Sequence, residues 1–292
     1  MVRTAILGAG KMGAWFARFC RENGEQVIIA DRKKERLARF EKASGIETTD
    51  NFADAVKKAD NIMICVSISS FEDVVKKIAP FVHDGRNVLD ICSVKEQPVK
   101  IMHQYIKNAL ILGTHPVFGP GSKGVKNKAY ILTPTNATEH KFAEKYKGWL
   151  EKVGARVFIM SPKKHDEFMS VVLGMPHFIG LVACDTLLEQ PDFLQTKKVA
   201  GTTYRLLFTL AEATALETPD MYASLQTSLP EMGKIEDLFI QKAEEWLSLV
   251  KQKDSAAIVE KLAKLKAKLT QTDSEFEKSY ETMYKMLEAA EK

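Results

Sequence analysis

Two kinds of residue in this chain invite chemistry: a glycine run suited to phosphates, and isolated polar side chains set where apolar strand segments stop. Gly8-Ala9-Gly10-Lys11-Met12-Gly13 reads GxGxxG. It follows an apolar strand segment and opens a helical one, and Asp31 closes the next strand segment about 20 residues on, the context that makes the pattern informative. Gly8 permits a tight turn, Gly10 admits a pyrophosphate close to the backbone, and Gly13 lets helix and strand pack closely. The helix start then offers free N–H groups and a positive dipole to the phosphates. Asp31 would accept hydrogen bonds from the adenosine ribose hydroxyls, which favours NAD. Arg32, Lys33 and Lys34 follow at once and offer charge to a 2′-phosphate, which favours NADP. NAD is expected, with NADP use alongside it. The plainer alternative, a strand–helix turn without ligand, leaves the complete βαβ context unexplained.

Two further candidates lie at the carboxyl ends of strand segments, the edge where open α/β sheets bind ligands. The segment 87–91 runs into Asp90-Ile91-Cys92-Ser93-Val94-Lys95, and the segment 110–113 into Thr114-His115-Pro116-Val117-Phe118-Gly119-Pro120-Gly121. A histidine there titrates near neutrality and suits a general base. Ser93 is placed to fix its tautomer and orientation. A bland reading makes Ser93 a helix cap and His115 a turn residue; both readings stand at this point.

The second half of the chain adds two more. His177 follows Pro176 inside the apolar run 171–184, where proline breaks the helix ladder and a polar side chain needs a partner. A satisfied core histidine is the commoner outcome for such a residue. Arg205 lies between apolar neighbours in Thr202-Thr203-Tyr204-Arg205-Leu206-Leu207-Phe208. Buried there, it would call for an anion, either an internal carboxylate or a substrate.

These residues are positioned by a chain that changes character partway. Segments 4–7, 26–30, 61–66, 87–91, 110–113, 130–133 and 156–160 are short, apolar and rich in Val and Ile, as strands buried on both faces read. They alternate with helical stretches, which predicts a Rossmann-type doubly wound α/β sheet with helices on both faces. After Ser161-Pro162 the apolar residues recur at three- and four-residue spacing, which predicts an all-helical C-terminal domain. The expected division is a nucleotide-binding domain over 1–161 and a helical substrate and dimerisation domain over 162–292. The run 165–188 is apolar almost all round and is expected as a buried central helix. Ile258, Leu262, Leu265 and Leu269, then Phe276, Tyr280, Met283 and Leu287, form stripes that fit an intrachain hairpin or a surface between copies.

Composition removes other classes. The 292 residues carry 42 Lys+Arg against 38 Asp+Glu, a net charge of +4, too small an excess to argue for a nucleic-acid partner. Apolar residues make up 45%, which excludes intrinsic disorder. The four cysteines are scattered without CxxC or metal-type spacing, so no metal is expected and a reducing, cytoplasmic setting is. No apolar signal-peptide core precedes the first strand segment. The apolar stretch 171–184 falls short of a bilayer span of roughly 20 residues, so no membrane association is expected.

Taken in order, GAGKMG, Asp31, DICSVK, GTHPVFGP, SPKKHDEFMSVV, MPHF and TTYR resemble the prephenate/arogenate dehydrogenase family, firmly over about residues 1 to 215. The resemblance implies an N-terminal nucleotide-binding domain and a dimerising helical domain. It implies oxidative decarboxylation of prephenate to 4-hydroxyphenylpyruvate, or of arogenate to tyrosine, with reduction of NAD or NADP. His115 resembles the family's catalytic histidine, Ser93 the serine that orients it and the substrate, His177 the substrate-pocket histidine, and Arg205 the arginine that binds a substrate carboxylate. His165-Asp166 matches a recurrent family dipeptide. Cys92 stands where many members have Gly, and Val66-Ser67 where many have Val-Pro, both near the expected nicotinamide pocket.

Two rivals are disfavoured. A β-hydroxyacid dehydrogenase would resemble this layout but use a lysine on the central helix of the second domain, where this chain offers His165 and His177 and only Lys163 and Lys164 at the start. A non-catalytic nucleotide sensor would keep the glycines and Asp31 without needing Ser93, His115 and Arg205.

Overall fold

The computed structural model describes residues 1–44 and 46–290. The first unit comprises Met1–Met169 with Pro219–Pro230. It opens with β1 (Arg3–Leu7), α1 (Lys11–Glu22), β2 (Gln26–Ala30), α2 (Lys34–Ser44) and β3 (Glu47–Thr49). It continues through α3 (Phe52–Lys57), β4 (Asn61–Ile64), α4 (Ile68–Ile78), β5 (Arg86–Asp90) and α5 (Glu96–Tyr105). Then come β6 (Ala109–Pro116), β7 (Ala129–Thr133), α6 (Ala137–Lys152), β8 (Arg156–Ile159) and α7 (Pro162–Met169). The second unit starts with a π-helical turn, Ser170–Gly174, followed by α8 (Met175–Leu188), α9 (Phe193–Lys198) and α10 (Thr202–Ala215). Helix α11 (Pro219–Ser228) belongs to the first unit, while α12 (Met232–Gln252), α13 (Ser255–Thr272) and α14 (Ser279–Ala290) belong to the second.

The sheet runs β3-β2-β1-β4-β5-β6-β7-β8. Every pairing is parallel except β6 with β7. Strand side chains alternate between two apolar layers, as the two-residue repeat of a strand requires. Ile6, Ile29, Met63, Leu89 and Leu112 pack with Trp15, Phe16 and Phe19 of α1 and Leu150 of α6. Their neighbours Leu7, Ile28, Ile62, Val88 and Ile111 pack with Phe71 and Val75 of α4 and Met102 of α5. This is the doubly wound sheet expected, with its strand order reversing between β1 and β4, where such sheets open a ligand crevice.

Three features differ from expectation. Strand β3, three polar residues at the sheet edge beside β2, has no apolar signature to betray it. Strand β6 is longer than its apolar core: Arg86–Leu89 of β5 pair with Ala109–Leu112, and Gly113–Pro116 then form an antiparallel ladder with β7. His115 therefore lies in a strand, opposite Ile131, not in a loop. Gly113 sits at the change of partner, where a Cβ would meet Thr133 Oγ1 at 2.3 Å and Val99 of α5 at 2.5 Å. The third concerns the run 165–188, which the π-turn divides and which is not buried all round.

Within the second unit α8 and α10 pack closely: a Cβ on Gly180 would lie 2.6 Å from Thr214 Oγ1. Pro176 falls in the first turn of α8, where its missing N–H costs no ladder bond. Phe178 of α8 also meets Phe239 of α12, with ring centroids 6.2 Å apart, yet Val182 of α8 remains 43% exposed and Val172 of the preceding π-turn 57%. Leu262, Leu265 and Leu269 of α13 are exposed as well, although α13 folds back on α12 and Lys261 pairs with Glu245 at 3.0 Å.

Candidate active site

The glycine loop has the shape its sequence demands. Gly8 adopts φ +110°, and a Cβ there would lie 2.4 Å from the Cys65 carbonyl oxygen and 3.2 Å from Val66 Cγ1. A Cβ on Gly13 would collide with the Gly8 carbonyl oxygen at 1.8 Å. Gly10, by contrast, faces open space within 4 Å. It is the N-cap of α1, which has no side-chain cap and no acidic residue in its first turn. The leading N–H groups of α1 are thus left for an anion, and the cradle fits a dinucleotide pyrophosphate. Lys11 is exposed and Met12 half-buried at this helix start.

Asp31, at the end of β2, is buried and braced. Its Oδ2 accepts from the Ala9 N–H at 2.8 Å, and its Oδ1 from the Lys33 N–H at 2.8 Å. Arg36 of α2 reaches the same carboxylate at 3.3 Å. Arg32, Lys33 and Lys34 are exposed, and Lys34 pairs with Asp50 at 3.2 Å. Arg36 has no role in the sequence reading; its signal there is a basic residue five positions beyond Asp31, in the first turn of the next helix. Val66 closes against Gly8, while exposed Ser67 is the N-cap of α4, with its hydroxyl 3.1 Å from those of Ser69 and Ser70.

At the ends of β5 and β6 the structure assembles a buried polar cluster. Asp90 and Lys95 form an ion pair with both side chains fully buried. Asp90 also accepts from the backbone N–H of Cys92 at 2.8 Å and of Thr114 at 3.2 Å. Lys95 Nζ donates to the Thr114 carbonyl at 2.7 Å, tying the start of α5 to the residue before His115. His115 is 4% exposed, and its Nδ1 lies 2.8 Å from His165 Nε2 of α7. His165 Nδ1 in turn lies 2.7 Å from Asp166 Oδ1. Asp166 also caps α5, accepting from the Lys95 N–H at 2.7 Å and the Glu96 N–H at 2.9 Å.

Burial holds the His115 pKa well below its ordinary 6.5, and the neighbouring His165 and Lys95 push the same way. His165 is lowered by burial too, opposed by its bond to Asp166. Both rings are neutral at pH 7. Ser93 is half-buried at the same strand end, and the partner of His115 Nδ1 is His165, not the Ser93 hydroxyl expected to fix the tautomer. Burial raises the Cys65 and Cys92 thiols, which keeps them protonated. Lys95 also has no role in the sequence reading; its signal there is a lysine five residues beyond Asp90, just past a buried apolar strand. His165-Asp166 was noticed as a dipeptide, and its partner lies 50 residues away.

The structure thus groups Gly8, Gly10, Gly13, Asp31 and Val66 around one loop, and Ser93 with His115 at adjacent strand ends. His177 and Arg205 belong to the second unit. His177 is half-buried on α8, its pKa lowered by burial against the opposing charge of Glu217. Arg205 is in the first turn of α10, half-buried and not fully enclosed.

Comparison with known proteins gives a consistent pattern. Residues 16–159 match the nucleotide-binding domain of prephenate dehydrogenase, and residues 161–264 match its dimerization domain. The first match starts beyond the glycine loop. A probable arogenate/prephenate dehydrogenase of Methanocaldococcus jannaschii is 35% identical over 87% of this chain and 58% of its own length. The chain spans between half and two thirds of the length of the curated relatives it matches. The structure of A. aeolicus prephenate dehydrogenase with hydroxyphenyl propionate and NAD+ superposes with a TM-score of 0.77 at 25% identity, over 94% of this chain and 99% of that one. Synechocystis arogenate dehydrogenase shares the fold, with a TM-score of 0.71 at 18% identity over 92% of this chain and 99% of that one.

Proposed function

Because the chain belongs to the prephenate dehydrogenase family, we propose that it oxidatively decarboxylates prephenate to 4-hydroxyphenylpyruvate, with NAD or NADP as cofactor. The observation that carries this reading is His115: a buried, neutral imidazole at the ligand edge of a nucleotide-binding sheet, with Nδ1 engaged and Nε2 left as its acceptor. Bound NAD or NADP supplies a hydride acceptor. His115 Nε2 accepts the proton of the ring hydroxyl as hydride leaves the same carbon. Loss of the ring carboxylate as CO2 aromatises the ring, and the phenolic oxygen takes the proton back. Aromatisation supplies the driving force, so the protein's tasks are positioning, proton acceptance and anion binding. Ser93, at the adjacent strand end, orients the substrate hydroxyl toward His115, Arg205 pairs with a substrate carboxylate, and His177 lines the substrate pocket.

Gly8, Gly10, Lys11, Met12 and Gly13 hold the pyrophosphate, Asp31 and Arg32 the adenosine ribose, and Val66 and Ser67 the nicotinamide side. The braced Asp31 carboxylate favours NAD. The division at Ser161-Pro162 separates nucleotide binding over 1–161 from substrate binding and dimerisation over 162–292. Arogenate is the alternative substrate of the same site, supported by the dual name of the Methanocaldococcus jannaschii relative.

A homodimer in the cytoplasm is the assembly this reading implies. The exposed apolar residues of α8 and α13 support it, because the described residues leave them open to solvent. The helical stretch Pro162–Leu188 is long and apolar enough to cross a bilayer. Its His165 and Asp166, however, are buried and hydrogen-bonded to residues of β6 and α5, which suits a second copy as cover better than lipid. NAD(P)H formation assayed with each substrate and each cofactor tests the activity. Cofactor binding without turnover of either substrate would refute it. Light scattering that shows a monomer at micromolar concentration would refute the dimer.

A further inference from the structure

The His115–His165–Asp166 chain has a definite protonation order. An ionised Asp166 only accepts, so the proton between it and His165 belongs to His165 Nδ1. A neutral His165 then carries its lone pair on Nε2 and must accept from His115 Nδ1, 2.8 Å away. His115 is left with a bare Nε2, the state a general base needs. The wrong tautomer of a base histidine is costly, on the order of 10⁴-fold in a serine protease whose orienting aspartate is changed.

The same chain answers a second problem. His115 is buried, and an imidazolium there is opposed by desolvation and by Lys95. His165 has Asp166 beside it at 2.7 Å, so a positive charge is better placed on His165. The charged and titratable groups around the pair are Asp90 of β5, Lys95 at the start of α5 and Asp166 of α7. Asp90 and Lys95 are paired with each other, which leaves Asp166 as the carboxylate bonded to the relay.

We propose that His165 and Asp166 are positioning residues that work through His115: Asp166 sets the tautomer of His165, His165 sets that of His115, and the two rings share the proton taken from substrate. The substrate O–H bond breaks as His115 Nε2–H forms; His115 Nδ1–H breaks as His165 Nε2–H forms. Both transfers reverse when the phenolic oxygen reclaims its proton, so no net proton is released. This rests on the reading of His115 as the base.

Two readouts on the full chain separate the relay from that reading. Nitrogen-15 NMR of the imidazoles needs no substrate: His115 is expected protonated at Nδ1 and bare at Nε2, a preference lost in His165→Leu. A wild-type His115 protonated at Nε2 would overturn the relay, whatever the enzyme's substrate. With prephenate, His165→Leu is expected to lower kcat ~100-fold with KM within about threefold. His165→Gln keeps an acceptor toward Nδ1 but cannot take a proton, and is expected to recover roughly tenfold of that loss. Equal impairment of the two variants would reduce His165 to a structural residue, and a wild-type rate in His165→Gln would overturn proton sharing. If the wild type turns over neither substrate, the catalytic reading fails while the NMR tautomer still decides the relay.

Discussion

Around His115 the first unit buries Asp90, Lys95, Thr114, His165 and Asp166 and bonds them to one another. In the second unit His177 and Arg205 are half-buried, on helices that leave apolar residues exposed. The difference shows what each region is built for. A base, the role proposed for His115, must hold one tautomer before substrate arrives, and its partner His165 and that residue's partner Asp166 lie within the chain at 2.8 and 2.7 Å. Under the proposed function, a group that meets a substrate carboxylate, or a face that meets another copy, stays partly open to what it binds.

Substitutions can break this contrast. The largest effect belongs to His115→Asn, which should lower kcat by ~10²–10⁴-fold with little change in substrate binding; an unchanged kcat would remove His115 from the chemistry. Next is Lys95→Met, which leaves Asp90 charged, buried and short of its cation. Removing one partner of a buried pair costs about 3–5 kcal/mol, to be read in the denaturation midpoint. A loss below about 1 kcal/mol would mean the cluster is not braced as described. In the second unit Arg205→Gln should act chiefly on KM, raising it roughly 10- to 100-fold for one charge-assisted contact. A drop in kcat at unchanged KM would place it among the reacting groups instead.

The smallest effect is the pH response. His115, His165 and His177 all have folded pKa values lowered below 6.5 by burial. The unfolded chain therefore binds more protons than the folded one once pH falls below about 6.5, and stability declines from there toward the depressed folded values. Rates that need neutral His115 should stay level as pH falls through 6.5 and drop only at lower pH. A rate already halved at pH 6.5 would show that burial does not set this histidine's state.

Legibility in sequence followed the range of each interaction. The glycine loop and Asp31 were readable because strand, turn, helix and strand are contiguous, and a Cβ on Gly13 would collide with the backbone of Gly8 in the same loop; the close approach of Gly8 to Cys65 is long-range, yet the motif already carries it. His115 was identified but placed in a loop, because the strand around it exists only through antiparallel pairing with Ala129–Thr133. Its His165 partner is 50 residues distant, and nothing local in either segment announces the bond. The apolar run 171–184 was read as buried, since side-chain hydrophobicity does not say whether cover comes from the same chain or another.

The most direct test of the central claim is to incubate the wild-type chain with prephenate and NAD or NADP and to quantify reduced cofactor and aromatic product together. The account predicts that the two form in equal amounts, at a rate abolished or nearly so by His115→Asn. A protein that binds the cofactor yet forms neither product from prephenate or arogenate would contradict it.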